Sequence, residues 1–317
     1  MLSLPKKYIN TYLLIETIGL FLVLSTCSVY LNAIGLAWYF HLPLLLLQGF
    51  WFYRLYILGH EASHRKLFPG SVAKNDFWGG LILVPIMTPI NVFRKIHLFH
   101  HGFNRKDHHT SALDTYVTRQ KPSWLVKAFY YLLWYVSVFL GGWFIHSLVS
   151  VVLFLFIPPS VSVRISPAFK GWTMQDQLKA IALFGLGVGF HLAVYWLGGS
   201  AVYLYSLGYP MLAFAWVLSL FVYIFHYDTT IGSETRFNVR SLGYVPFFSW
   251  ILMNFNEHAT HHQHPNIPWY ELPKKRTPLP EKYHQQNQST DSLLRAILNQ
   301  LKGPNIVFTH ENKKSAP

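Results

Sequence analysis

The sequence contains a single cysteine and few charged residues. Cys27 lies inside an apolar run, so a disulfide framework and a cysteine-based metal site are both excluded. Charged residues make up 12% of the chain, against about 25% in an average soluble domain, and hydrophobic residues make up 52%. This balance favours a membrane protein. The aromatic share of 17% agrees with it, because Tyr and Trp favour membrane interfaces.

Acidic residues are especially scarce: 13 Asp and Glu stand against 26 Lys and Arg, which gives a net charge of +13. In a soluble domain that excess would indicate nucleic-acid binding. In an apolar chain it is better explained by Lys and Arg that keep loops on the cytoplasmic side, so we expect no nucleic-acid partner. Lys6 and Lys7 precede the first apolar stretch without a small-residue cleavage site after it, which predicts a retained first span.

Long apolar runs are plentiful. Four of them have the roughly 20 residues that a helix needs to cross a bilayer. They lie near residues 11–31, 38–58, 180–200 and 208–227. Two further stretches, 129–157 and the proline-broken 77–93, are expected to lie at the interface or to dip into the membrane and return.

The charges of the connecting loops predict how these spans are arranged. The connections 28–43 and 197–210 contain no Lys or Arg, whereas every other connection is basic. By the positive-inside bias the two charge-free loops face outward. We therefore predict an all-α integral membrane protein with about four transmembrane helices in two hairpins, interfacial helices and a cytoplasmic histidine-rich cap, with both termini cytoplasmic. Six plain spans are the alternative, and they would place the histidine clusters on opposite sides.

We expect residues 1–317 to form a single domain in which 275–317 is a polar, partly mobile cytoplasmic tail. Within this tail the apolar spacing of Leu293, Leu294, Ile297 and Leu301 predicts a short helix. Asn287 begins an Asn-Gln-Ser glycosylation sequon, which is without meaning on the cytoplasmic side.

Histidine is the residue in excess, with 17 copies. Eight of them form three clusters: His60-Glu61-Ala62-Ser63-His64, His97-Leu98-Phe99-His100-His101 and His258-Ala259-Thr260-His261-His262. Residues three and four apart share one face of a helix, so each cluster offers two or three imidazoles to one point. Eight nitrogens exceed the roughly six ligands that one ion takes, which indicates two ions. Imidazole suits iron, zinc, copper and nickel; redox chemistry with oxygen narrows these to iron or copper, and the lack of Cys and Met disfavours Cu(I).

Two isolated histidines are further candidates. His226 ends the fourth predicted span near the clusters, and we predict a ninth metal ligand there, with a capping or interface histidine as the alternative. His191 lies in the middle of the third predicted span. An ionisable residue at membrane depth is a functional candidate, and a hydrogen-bonded packing role is the alternative.

The three clusters resemble the H-x3-H, H-x2-HH and H-x2-HH boxes of the membrane fatty acid desaturases. Phe93-Arg94 stands before the second box as in the family pattern FRxxHxxHH. The stretch from Pro265 to Pro273 resembles the family's P-x-x-P-x-Y-x-L-P ending. The resemblance covers about residues 55–115 and 220–275, and the rest of the chain by hydropathy alone.

The resemblance implies an O2-dependent di-iron desaturase that introduces a double bond into a fatty acyl chain. It implies two non-haem iron ions, with O2 as co-substrate and no catalytic residue beyond the metal ligands. The implied ligands are His60, His64, His97, His100, His101, His258, His261 and His262, with His226 as an additional one. A membrane lipid or acyl chain would be the substrate. Because no fused cytochrome b5 domain is present, a separate donor of the ferredoxin or cytochrome b5 type would supply electrons.

Three other functions are left open by the sequence. A di-iron hydroxylase or ketolase of carotenoids, sterols or alkanes would use the same ligands. The first cluster also matches the H-E-x-x-H motif of zinc proteases, in which Glu61 would be the general base. That function needs a third ligand, commonly an Asp, for which Asp114 is a poor match, and it leaves the other two clusters unexplained. A non-enzymatic metal-binding or transport protein is the third alternative.

Overall fold

The protein is almost entirely helical in the computed structural model, which describes residues 5–110, 112–288 and 292–309. The helices are α1 (Lys6–Ala33), α2 (Trp38–Ser63), α3 (Val72–Ile82), α4 (Ile90–Phe103), α5 (Trp124–Phe139), α6 (Gly142–Phe156), α7 (Pro159–Ile165), α8 (Met174–Tyr203), α9 (Tyr209–Phe221), α10 (Pro246–Ile251), α11 (His258–Gln263), α12 (His284–Asn287) and α13 (Leu293–Asn299). The strands β1 (Thr115–Thr118) and β2 (Asn305–Phe308) form a parallel pair. The predicted helical class is confirmed, with this small sheet as the addition.

Three helical stretches of the described chain are long and apolar enough to cross a membrane: Tyr8–Ala33, Trp38–Ser63 and Met174–Phe221. The third has 48 residues and contains the third predicted span and most of the fourth, up to Phe221. Gly199 interrupts it with a φ of 78° and a ψ of 175°, a conformation that glycine adopts without steric cost. His191 Nδ1 lies 3.4 Å from the Tyr203 hydroxyl. A straight helix would separate these two residues by about 18 Å along its axis, so the backbone changes direction at Gly199.

The core is built around the contact between α2 and α9. Gly49 of α2 permits this close approach, because a Cβ at that position would lie 2.8 Å from the backbone of Ala213. Phe52 of α2 and Phe214 of α9 are both fully buried at the contact, with ring centroids 5.9 Å apart. Tyr53 of α2 also packs against Phe221 at the end of α9, with ring centroids 6.1 Å apart.

The two stretches expected to lie at the interface are both broken. In the first, α5 and α6 meet at an angle of 90° at Leu140–Gly141, and they would form a fourth membrane span only if the bent pair crossed as one. In the second, α3 ends at Ile82, a 3-10 turn covers Val84–Ile86 and α4 begins after Pro89. Both breaks occur where the sequence offers Gly or Pro, the residues that end helices most readily.

The described part of the C-terminal segment packs against the helices. The predicted helix is present as α13. The buried Trp134 of α5 donates its indole N–H to the Gln300 carbonyl at 2.8 Å, and Tyr227 donates to the Gly303 carbonyl at 2.6 Å. Residues 289–291 and 310–317 of the predicted tail lie outside the described residues.

Candidate metal centre

Four segments carry the nine predicted ligands. His60 lies in the last turn of α2 and His64 directly follows that helix. The second cluster lies in the last two turns of α4 and the third forms the short helix α11. His226 lies in the turns after α9, which ends at Phe221 and not at residue 227 as predicted. The four segments are helix ends, a short helix and the turns after a helix, so their side chains converge where the longer helices stop.

The structure brings all nine histidines together in two groups. The first group is His60, His64, His97, His101 and His261; the second is His100, His226, His258 and His262. Within each group one ring nitrogen per residue lies within 4.8 Å of the others. The grouping divides the second and third clusters. His97 and His101, four residues apart, face one point, whereas His100 faces the other.

The converging ring nitrogens lie very close together. His97 Nε2 lies 2.7 Å from His64 Nε2 and 3.0 Å from His101 Nε2. His101 Nε2 in turn lies 3.1 Å from His261 Nε2. Each ring nitrogen of a neutral imidazole carries either a proton or a lone pair, so Nε2 atoms this close to one another cannot all be protonated. The first group therefore presents lone pairs to a common point, as a metal site requires.

Other nitrogens of the site are buried without a partner. Within the described residues, neither ring nitrogen of His60 and neither ring nitrogen of His262 has a hydrogen-bond partner. Leaving a buried polar group unpaired costs about 1–3 kcal/mol each. A cation bound in each group would satisfy one ring nitrogen of His60 and one of His262, so the donor set fits two metal ions of the kind that accept imidazole.

Burial keeps these histidines neutral. It lowers the pKa of His64 and of His100 to about 4, and that of His101 to about 2. Burial also lowers the pKa of His226, with the nearby His100 adding to the effect. Neutral imidazole is the form that binds metal ions, so the site is in its ligating state at neutral pH.

Further polar groups lie beside two of the histidines. Glu61 Oε1 lies 3.5 Å from His60 Nδ1, and Glu61 Oε2 accepts the Trp269 backbone N–H at 3.3 Å. His226 Nδ1 lies 3.4 Å from the carbonyl oxygen of Asn238. That carbonyl also accepts the Asn104 side-chain amide at 2.7 Å. Asn104 and Asn238 were not predicted, because a single asparagine far from the clusters carries no distinguishing signal in the sequence.

The structure also decides between alternatives for other residues. His191 lies outside both groups and contacts the Pro85 carbonyl at 2.8 Å, which favours the packing role. Asp114 pairs with Arg105 at 2.5 Å and is absent from both histidine groups, so it does not complete a protease site. Six plain spans would separate the clusters by the roughly 30 Å of a hydrocarbon core. That alternative is wrong, since nitrogens from all three clusters lie within 4.8 Å.

A cavity of about 360 Å³ adjoins the second cluster. Phe93 lines it, one turn before His97, and stacks on that imidazole with centroids 5.7 Å apart. Most of the other lining residues are apolar, and they include residues of α4, α6 and α9: Val92, Ile96, Phe99, Trp143, Phe144, Leu148, Val151, Phe154, Phe214 and Leu218. The cavity suits a hydrocarbon chain.

Fold and site together define a helical protein with helices apolar enough to cross a membrane and a buried histidine site able to hold metal ions. The sequence model of the fatty acid desaturase family matches residues 36–293, and the chain belongs to this family. Its relatives are acyl-lipid and sphingolipid desaturases, which indicates an oxidoreductase.

Three relatives illustrate this membership. The chain is 25% identical over 271 residues to an sn-1 acyl-lipid omega-3 desaturase (ferredoxin) of Synechocystis sp., covering 80% of this chain and 70% of that protein. It is 27% identical over 232 residues to a human sphingolipid delta(4)-desaturase/C4-monooxygenase, covering 71% and 61%. It is 24% identical over 258 residues to an sn-1 oleoyl-lipid 12-desaturase of Picosynechococcus sp., covering 75% and 68%.

Proposed function

We propose that the protein is an O2-dependent desaturase that introduces a double bond into the acyl chain of a membrane lipid, using two iron ions. The observation that carries this proposal is the pair of histidine groups beside an apolar cavity. The names of the relatives, two acyl-lipid desaturases and a sphingolipid desaturase, support a lipid substrate.

The nine histidines would hold the two ions. One ion would be bound by His60, His64, His97, His101 and His261, and the other by His100, His226, His258 and His262. Iron bound there would supply the activation of dioxygen and the removal of hydrogen from an unactivated carbon. The chain's own contribution is geometric, because such a carbon carries no polar group by which a protein could orient it.

The cavity residues would supply that geometry. Phe93 and Tyr56 lie at the cavity wall with ring centroids 5.1 Å apart, and Phe93 also touches His97. An acyl chain between these rings and Leu218 of α9 would therefore pass close to the second cluster. The apolar lining would also exclude water from the reacting carbon.

The proposal includes a multi-pass membrane protein with two helical hairpins, and with both termini and the histidine site on the cytoplasmic side. Two observations support this arrangement: the connections 28–43 and 197–210 contain no Lys or Arg, and all three histidine clusters converge. Electrons would come from a separate protein of the ferredoxin or cytochrome b5 type. The name of the Synechocystis relative, which includes ferredoxin, supports a separate donor.

Hydroxylation of the same class of substrate is the second candidate. The human relative favours it, because its name combines a desaturase with a C4-monooxygenase. Both reactions begin at a C–H bond near the same ions, so the position of the chain in the cavity would decide the outcome.

The test is a comparison of cells that express the protein with cells that express a His100→Ala, His261→Ala variant, which removes one histidine from each group. We expect a new double bond in the lipid extract of the first cells alone. Metal analysis of both purified proteins should give about two irons per chain in the wild type and few in the variant. A new hydroxyl group in the lipid extract would contradict desaturation and support hydroxylation, the second candidate. Unchanged lipids despite bound metal would favour a metal-binding protein.

A further inference from the structure

One buried residue of the C-terminal segment is connected by hydrogen bonds to the second histidine group. Asn287, the last residue of α12, is fully buried, whereas its neighbour Gln285 is exposed. In the sequence Asn287 has no distinguishing feature except a glycosylation sequon. We propose that Asn287 is a positioning residue for His226, and so for the metal ion of the second group; this inference rests on the function proposed above.

Asn287 is bonded to the 230–238 loop through both ends of its amide. Its Oδ1 accepts the Thr230 backbone N–H at 2.8 Å. Its Nδ2 donates to the Thr230 hydroxyl at 3.0 Å and to the Phe237 carbonyl at 2.7 Å. Three bonds from one buried side chain therefore join the two ends of this loop.

The Thr230 hydroxyl continues the connection. It accepts from Asn287 and donates its own proton to Asn238 Oδ1 at 2.8 Å. The Asn238 Nδ2 in turn donates to the carbonyls of Gly232 at 2.8 Å and Arg105 at 3.0 Å. Every donor is matched with an acceptor along this path, so the Asn238 side chain has one favoured orientation.

Asn238 ends the path at the metal site. Its carbonyl oxygen lies 3.4 Å from His226 Nδ1, and the Thr229 hydroxyl also donates to it, at 3.1 Å. A hydrogen bond from Nδ1 fixes the tautomer in which Nε2 carries the lone pair. His226 Nε2 is the atom that faces the second group, 3.0 Å from His258 Nε2.

The loop needs this support because it has little regular structure. All residues between α9 and α10 are described, and after the turns that end at Asp228 only the three-residue 3-10 turn Thr235–Phe237 is helical there. Its placement therefore depends on side-chain bonds such as those of Asn287. Groups that orient a metal-binding histidine typically change metal affinity about 10–100-fold when they are removed.

The test measures iron content and Mössbauer spectra of the purified full-length protein. The variants are Asn287→Ala and Thr230→Val, which removes only the hydroxyl, with Thr230→Ser as the rescue that keeps it. Gln285→Ala is the matched control in the same short helix. We expect the first two to lose the ion of the second group, with affinity reduced about tenfold or more, and to keep the other. The Ser and Gln285 variants should match the wild type.

The outcomes separate this inference from the proposed function. If the purified wild-type protein contained no iron, the proposed function itself would be contradicted. If the wild type binds both ions, and the Thr230→Val and Asn287→Ala variants also keep both, the positioning role alone is overturned. If Thr230→Val lost both ions together, the loop would serve general folding and the inference would equally fail. Loss of one spectral component in Thr230→Val, restored in Thr230→Ser, supports it even if Asn287→Ala does not fold.

Discussion

His226 Nε2 and His258 Nε2 lie 3.0 Å apart, although the two residues are 32 positions apart in the chain and only one belongs to a histidine box. The contact joins the turns after α9 to the helix α11. Without His226 the second group would contain three histidines, two fewer than the first group. The isolated histidine therefore raises the second group from three histidines to four.

Replacing His226 should therefore affect one ion more than the other. We expect His226→Ala to lose most of the iron of the second group and to keep that of the first, measured as iron per chain. His264→Ala is the control, because His264 lies beside the third box but is exposed, and its imidazole contacts the Thr277 hydroxyl at 3.2 Å. Equal iron contents in the two variants would contradict the proposed ligand set.

Acidification should destabilise the metal-free protein. Burial lowers the pKa of His64 and His100 to about 4, against about 6.5 in an unfolded chain. Between these values the unfolded chain binds protons that the folded chain does not, so stability rises with pH in this window. The contribution is fully present above pH about 6.5 and is lost as the pH falls towards 4.

The measurement is the thermal midpoint of the chelator-treated protein in detergent between pH 7.5 and 4.5. A His64→Gln, His100→Gln variant is the control and should show a shallower loss of stability on acidification. The same slope in both proteins would mean that other groups cause the acid sensitivity.

Filling the cavity should block the substrate without removing metal. Ile96 lines the cavity beside His97 and is 40% exposed, so Ile96→Trp should be tolerated by the fold while it occupies the proposed acyl path. We expect product formation to fall about tenfold or more, or the double bond to move, because misplacement of a substrate by an ångström is costly.

Leu98→Trp is the matched control for this change. Leu98 lies on the same helix, is 52% exposed and does not line the cavity. Iron content should be unchanged in both variants, and product should be lost only in Ile96→Trp. Full activity of Ile96→Trp would place the substrate elsewhere.

The buried ion pair between Arg105 and Asp114 should be essential for stability. Both side chains are at most 1% exposed, and Asp114 also accepts the Asp228 backbone N–H at 2.8 Å. Asp114→Asn leaves a buried guanidinium without its counter-charge, which costs about 3–5 kcal/mol. Asp107→Asn, at an exposed position in the same loop, should change the free energy of unfolding by less than about 0.5 kcal/mol. Denaturant titration compares the two variants; similar values would contradict the importance of the pair.

The sequence alone determined the class of the protein and its eight box histidines. Helix periodicity requires residues three and four apart to share a face, so the clusters are recognised as candidate ligand sets without any tertiary information. The apolar runs likewise identify the long helices, because hydrophobic length is a local property of the chain. The ends of those helices were predicted less well: α9 stops at Phe221, and the break at Gly199 lies inside a predicted span.

Only the tertiary structure decided how the histidines are shared between two groups and which other residues orient them. His97 and His100 are neighbours in one box but belong to different groups. His226, Asn238 and Asn287 come from turns and from the C-terminal segment. Their contacts join parts of the chain that have no periodic relationship to one another. The physical reason is that a local pattern fixes which face a residue occupies, whereas the packing of α2, α4, α9 and α11 fixes which faces meet.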